Sequence, residues 1–369
     1  MAAATHLSCR RGEFELLRYP CRKQESLQAW SSADLLLLEI ADASANTLVV
    51  NDEHGALCVP LCPAAIWTDS ALAAAAIAQN CERNVQPMPA LTWSTEKPGT
   101  SFDQVILRIP KLLPYFDYQL ANLAAVLPAG VQLHCAGMDK HLSPQTAALI
   151  EKRLGNVERQ RGQRKARVFS SVLPGPRGPI PSDFSAGYYC QQIDAQLSAL
   201  PNVFSREKLD IGSRLLVDNL HLLEPAKSAA DLACGNGLLG IAAMQLKLAQ
   251  RLLFADESAM AIASARANAN QVLGDQADIE FHLGDGLLGV PQKFELILCN
   301  PPFHLGHTVD DFAGRRLLQQ AAAALLPGGS LLLVANRHLD YGSSLKHLFR
   351  NIDKLAQNNK FIVWRARHS

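Results

Sequence analysis

Four landmarks occur twice in this chain, in the same order. Gly55, Asp69, Phe102 and Pro128 are followed by Gly237, Asp256, Phe294 and Pro327, at separations of 182, 187, 192 and 199 residues. A separation that drifts upward by a few residues at a time is what loop insertions produce in a duplicated domain, and it is too long for a solenoid repeat. The 369 residues accommodate two domains of ordinary size. Strand-like and helical segments alternate in the first half. Residues 27–38 have helical spacing, 47–51 read as a strand, Asp69-Ser70 opens an alanine-rich helix over 71–80, and 102–107 and 131–135 are further strands. The alternation predicts a parallel, doubly wound α/β sheet in each copy. Prolines and glycines crowd residues 173–181. The expected division is therefore one domain over 1–172, a linker over 173–184 and a second domain over 185–369.

Composition narrows the class of protein. Hydrophobic residues make up 48% and charged residues 19%, enough for a full core in each copy. The formal net charge is +1, whereas a general polyanion binder is usually more basic. Contact with nucleic acid must then come from local patches, and one exists. Lys152, Arg153, Arg159, Arg161, Arg164, Lys165 and Arg167 fall within sixteen residues. They would neutralise several phosphates, or else form a solvated surface partly balanced by Glu151 and Glu158. Nine cysteines without paired spacing indicate reduced thiols in a cytoplasmic protein, and Cys58 and Cys62 lack the second pair that a zinc site needs. Residues 1–11 have no apolar core of the kind a signal peptide carries, and no apolar run is long enough for a membrane span.

The second copy carries the chemistry. Its apolar run 294–299 ends in Asn300-Pro301-Pro302-Phe303, where two prolines stop the strand ladder and leave a rigid corner bearing one amide and one ring. Such a corner suits a planar group with an NH₂, or it is simply a strand-ending turn with Phe303 in the core. Ahead of it, 187–193 and 196–200 read as a hairpin, and Phe204-Ser205 as a lid before a helix over 213–222. Residues 229–241 form a strand, a glycine turn and a helix start. Gly235, Gly237 and Gly240 fit G-x-G-x-x-G, so a dinucleotide site must be weighed. Asp231 speaks against it, because a carboxylate there would repel a pyrophosphate and attract a cation such as a sulfonium with its ammonium group. Asp256, at the end of the next strand, suits two ribose hydroxyls, and Asp285, at the end of the third, an adenine amino group. Asp231, Asp256, Asp285 and Asn300 thus mark four strand ends on one sheet edge. In the first copy Gly235 is replaced by Glu53 and Asn300-Pro-Pro-Phe303 by Arg108-Ile-Pro-Lys111, so that copy is expected to keep the fold without the ligand.

Residues 231–303 resemble class I S-adenosylmethionine-dependent methyltransferases, and Asn300-Pro-Pro-Phe303 resembles the motif of those that methylate exocyclic amines. Two tandem copies with a degenerate first one resemble the bacterial rRNA guanine-N2 methyltransferases, most closely those of the 23S, large-subunit type. The resemblance rests on Leu27-Gln-Ala-Trp30, residues 51–57, Asn202-Val-Phe-Ser-Arg206, Leu209-Asp-Ile-Gly212, Cys299-Asn-Pro-Pro-Phe-His304, residues 334–341 and Asn358-Asn-Lys-Phe361, in order along nearly the whole chain. Ala233 departs from it, standing where the pattern has glycine. The resemblance implies S-adenosyl-L-methionine held by Asp231, Cys234, Gly235, Asn236, Gly237, Asp256, Asp285, Phe204 and Ser205. It implies that the Asn300 side-chain and Pro301 backbone carbonyls accept the two N–H bonds of a guanine amine. Pro302 would stiffen the frame, and Phe303 would stack on the base. Arg206, Arg337, His338, Arg161, Arg164, Lys165 and Arg167 are the expected rRNA contacts. No metal site is expected: His304, His307 and Asp310 read as a polar loop. A monomer acting on 23S rRNA is the favoured reading. The alternatives are a 16S enzyme of the same architecture, a non-catalytic assembly factor, a dehydrogenase resting on the glycines alone, and a protein-amide methyltransferase.

Overall fold

The duplicated landmarks mark a duplicated sheet. The computed structural model describes residues 3–22, 24–176, 184–275, 277–302, 304–305, 308–309 and 312–368. Phe303, His307, Asp310 and residues 177–183 of the expected linker lie outside these. The chain divides into two compact units, Met1–Phe184 and Ser185–Ser369. Strand β9 (below) runs to Pro174, two residues into the expected linker. Phe184 stays with the first unit, its ring edge-on to Tyr118 at 5.4 Å.

The first unit opens with a hairpin, β1 (His6–Cys9) and β2 (Gly12–Glu15), then α1 (Ser32–Ile40), β3 (Thr47–Val50), α2 (Cys58–Leu61), β4 (Ala65–Thr68) and α3 (Ala71–Arg83). It continues with β5 (Ala90–Trp93), β6 (Gln104–Arg108), α4 (Leu113–Val126), β7 (Ala129–Met138), α5 (Thr146–Leu154), β8 (Glu158–Arg159) and β9 (Ala166–Pro174). The second repeats the plan. It comprises the hairpin β10 (Ala186–Cys190) and β11 (Ala195–Ala199), then α6 (Ile211–Asp218), β12 (Ala226–Leu232), α7 (Leu238–Gln245), β13 (Ala249–Asp256), α8 (Ala259–Leu273), β14 (Asp278–Leu283) and β15 (Phe294–Cys299). Two-residue strands β16 (His304–Leu305) and β17 (Thr308–Val309) precede α9 (Phe312–Ala324), β18 (Leu325–Asn336), α10 (Tyr341–Leu348), β19 (Asn351–Gln357) and β20 (Phe361–Arg367).

The two seven-stranded sheets have orders β5-β4-β3-β6-β7-β9-β8 and β14-β13-β12-β15-β18-β20-β19, which superpose element for element. In each, five strands are parallel and the last two antiparallel. Both faces are buried, as parallel strands require. Along β15, Leu296 and Leu298 join one apolar cluster while Phe294, Ile297 and Cys299 join the other.

Helix starts follow side-chain caps rather than apolar spacing. The helical spacing at 27–38 becomes a helix only from Ser32, because Ser31 and Asp34 form a reciprocal capping box. The helix expected over 213–222 starts earlier, at Ile211, under an Asp210 cap, and ends at Asp218, with a 3₁₀ turn at Leu220–Leu222. Among the described residues no helix is long and apolar enough to cross a membrane.

Candidate active site

The order of the second sheet reverses between β12 and β15, and ligands of open α/β sheets sit beyond the strand ends at such a reversal. Leu232 pairs with Cys299 across this line, so the glycine loop and Asn300 leave the sheet side by side. In the loop Ala233, Gly235 and Gly237 take φ of 60°, 55° and 85°. A Cβ on Gly235 would meet nothing within 4 Å, so this face of the loop is open to approach. Gly240 serves packing instead: a Cβ there would lie 2.5 Å from the Phe254 ring.

The carboxylates brace the loop from below. Asp231 is fully buried; its Oδ2 accepts the Gly240 N–H at 2.8 Å, and its Oδ1 has no partner. Burial pushes its pKa up to about 8. Asp256 Oδ2 accepts from Gly235 N (2.9 Å) and Oδ1 from Ser258 N (3.0 Å), linking β13 to the loop and to α8. Asp285 is paired with Arg316 and accepts from Gln320 Nε2 at 3.3 Å, so its oxygens face α9. Cys234 and Asn236 are buried, with Asn236 Nδ2 3.3 Å from the Tyr188 hydroxyl.

At the corner the orientation of one amide is decisive. Asn300 Nδ2 donates to Ser213 Oγ at 2.8 Å and to Asp210 Oδ2 at 3.3 Å. A carboxylate accepts only, so the NH₂ must face it. Asn300 Oδ1 is left buried with no partner, and a buried acceptor in that state is costly unless a ligand supplies the donor. Pro301 is buried and Pro302 exposed. Phe303 lies outside the described residues, as do the side chains of 304–310. Among the rest there is no cluster of His, Cys, Asp or Glu suited to a metal. Phe204 is 71% exposed, and Ser205, at φ 56°, donates to the Lys208 carbonyl. Arg206 is half-buried; Arg337 and His338 are exposed beyond β18, with Arg337 Nη1 3.3 Å from the Asn358 carbonyl.

Asp210 and Ser213 are site residues to which motif reading gave no role. The signal was present, since D-x-x-S is an N-cap pattern, matched in the first copy by Ser31 and Asp34. A further residue, Asn268, holds the glycine loop to the hairpin. Its Nδ2 donates to the carbonyls of Asn236 (2.9 Å) and Ser198 (2.8 Å), and its Oδ1 accepts from Ser198 N (2.9 Å). Asn80 repeats these bonds to His54 and Leu17 in the first unit.

The first unit keeps this frame and changes its content. Arg108 stands at the Asn300 corner, its Nη1 bonded to Ser31 Oγ (3.1 Å) and paired with Asp34. Asp52, buried beneath the loop, accepts from five successive backbone N–H groups, His54 through Cys58, at 2.8–3.3 Å. An internal carboxylate thus occupies the helix N-terminus, where a ligand's anionic group would otherwise sit. The basic run splits into two kinds of side chain. Arg153 is held by Asp117, Arg164 by Glu39 and Arg167 by Asp139, while Lys152, Arg159, Arg161 and Lys165 are exposed.

Comparison with known proteins matches both halves. A family model described as Methyltransferase small domain covers residues 194–365, and one described as RLMG N-terminal domain covers 4–174. The ribosomal RNA large subunit methyltransferase G of Alcanivorax borkumensis is 43% identical over 96% of this chain and 95% of its own. That of Pseudomonas fluorescens is 37% identical over 96% and 97%. A solved structure of the T. thermophilus 16S rRNA N2 G1207 methyltransferase (RsmC), in complex with AdoMet and guanosine, has the same fold. It covers 99% of this chain and 98% of its own, with a TM-score of 0.79 at 20% identity.

Proposed function

The chain belongs to the ribosomal RNA large subunit methyltransferase G family, and on that premise we propose that its second unit methylates the exocyclic N2 of a guanine in 23S rRNA. The observation that carries the reading is the Asn300 amide, fixed by Asp210 and Ser213 with its carbonyl unpartnered. That carbonyl and the backbone carbonyl of Pro301 accept the two N–H bonds of the guanine amine. The amine lone pair, otherwise delocalised into the ring, is then directed at the methyl donor. Phe303 stacks on the base.

The residues present fit S-adenosyl-L-methionine: the face of the loop at Gly235 is open, and Asp231 keeps a buried oxygen for an ammonium group. Asp231 would hold that group, Gly235 and Gly237 would let the backbone approach with Cys234 and Asn236, Asp256 would take the ribose hydroxyls, and Asp285 would accept the adenine amine on a lone pair not used by Arg316 and Gln320. Phe204 and Ser205 cover the site. The cofactor supplies a methyl group on a positively charged sulfur. That methyl group would pass to N2 in exchange for one amine proton shed to water, so Asn300 positions rather than titrates.

The first unit serves as an RNA-gripping scaffold. Arg161, Arg164, Lys165 and Arg167 contact rRNA phosphates, with Arg206, Arg337 and His338 near the target base. The protein acts as a cytoplasmic monomer, with residues 185–369 as its catalytic domain. The test is transfer from labelled S-adenosylmethionine to rRNA lacking the modification, with the product mapped. Label on N2 of one 23S guanine is expected. Label confined to 16S rRNA would assign the small-subunit reaction named for the T. thermophilus enzyme, and no label on any guanine would overturn the reading.

A further inference from the structure

The corner where the first unit lost its amine clamp is not filled. A partly open cavity of about 80 Å³ remains there, bordered by Arg18, Trp30, Asp34, Glu53, His54 and Arg108. One water needs only roughly 10–15 Å³. His54 is 8% exposed, and neither ring nitrogen has a hydrogen-bond partner. Arg108, tied at Nη1 to Ser31 and Asp34, has its Nε–H buried and unpartnered. Strand register equates Arg108 with Asn300 and His54 with Asn236.

The two corners are therefore complementary in what they lack. At this corner the second unit presents an unsatisfied acceptor, Asn300 Oδ1, and the first an unsatisfied donor, Arg108 Nε–H. His54 adds one N–H and one lone pair, because burial, with the nearby Arg18 charge, lowers its pKa to about 4 and keeps it neutral at pH 7. Arg18 and Arg108 are set against Asp34, Asp52 and Glu53 around this cavity, so the hydrogen-bonding atoms rather than net charge select the ligand. A planar ligand with a carbonyl beside an N–H meets all three requirements, and Trp30 at the wall offers it an aromatic surface. We infer that this cavity takes a keto base of RNA, uracil or guanine, turned out of its strand and read by Arg108 and His54. The inference rests on the reading of the chain as an RNA enzyme.

The probe is uridine 5′-monophosphate, whose base has no exocyclic amine for the Asn300 clamp. The full chain, saturated with S-adenosylhomocysteine, is titrated while the histidine imidazole ¹H–¹⁵N spectrum is followed, the His54 signal being assigned by its loss in His54→Asn. A saturable His54 shift is expected, weaker by about tenfold or more with adenosine 5′-monophosphate, as one mismatched hydrogen-bonding edge implies. Arg108→Met should weaken binding similarly; because it strands Asp34, His54→Phe, which keeps the ring volume, is the second variant, with far-UV circular dichroism checking its fold. No His54 shift at millimolar uridine 5′-monophosphate, or calorimetric binding of the same nucleotide unchanged in a folded His54→Phe, overturns the inference. An equal response to N-methylacetamide would assign the cavity to a peptide and overturn it too. Methyl transfer is scored separately: uridine binding without transfer rejects the catalytic reading alone, and transfer without uridine binding rejects this one alone.

Discussion

Asn300 is held by residues 90 and 87 positions earlier in the chain, and that distance explains what motif reading missed. The rigid corner and the strand-end carboxylates were legible because each is local: a proline pair, or an Asp closing an apolar run. The partner that turns the amide was not local. Ser213→Ala removes the shorter of its two restraints, so it should lower kcat about tenfold with cofactor affinity kept, whereas Asn300→Ala should abolish turnover; single-turnover kinetics with calorimetry separate the two. Ala233 stands where the resemblance has glycine, and its φ of 60° gives the added methyl a cost. Ala233→Gly should stabilise the protein by about 1 kcal/mol, visible as a rise of roughly 2–4 °C in melting temperature. Asp231 sets a pH dependence. Its folded pKa, raised by burial to about 8, exceeds the unfolded value near 3.9, so the folded state holds a proton that the unfolded state lacks. Stability without ligand should therefore fall as pH rises from 4 through 8. S-adenosylhomocysteine affinity should rise by about tenfold per pH unit up to about pH 8 and then level, as calorimetry between pH 6 and 9 would record.

Among the elements, the strand alternation fixed the topology, and helix starts were misplaced wherever a cap outweighed apolar spacing, as at Ser31 and Asp210. The basic run shows the same limit. Composition placed it, but gave no hint that Gln163 and Ala166 pair across a two-residue turn in which Arg164 and Lys165 take φ of 50° and 59°. Turns of that hand favour Asn-Gly, and nowhere else among the described residues are two consecutive non-glycine residues left-handed. Arg164→Asn with Lys165→Gly should raise the melting temperature by a few degrees. If the proposed phosphate contacts hold, it should also reduce the salt slope of rRNA binding by about 1–2 in a filter-binding series.

For the whole molecule, the repeated landmarks disclosed two units of one design, and the residue exchanges at Gly235/Glu53 and Asn300/Arg108 led to the expectation that the second keeps the cofactor. What they did not disclose is that the first unit answers the loss with its own carboxylate, Asp52, under the loop. A cofactor-sized ligand should accordingly protect one unit only. At 100 times its Kd, S-adenosylhomocysteine adds about 2.7 kcal/mol to whatever it binds. Hydrogen exchange should localise that gain to residues 185–369 and leave the amides of β3, β4 and β6 unchanged.

Asn268 binds a hairpin strand, and Asn80 the residue Leu17 just past one, to the loop beneath through three or more hydrogen bonds each. Each asparagine therefore works as a tether between the entrance of its unit and the floor. In the second unit, when a ligand stiffens the loop, the tether carries that stiffening to β11, and the Ser198 amide becomes a remote gauge of an occupied floor. In the first unit the floor is already pinned by Asp52, so the Leu17 amide should exchange slowly whether or not anything is bound.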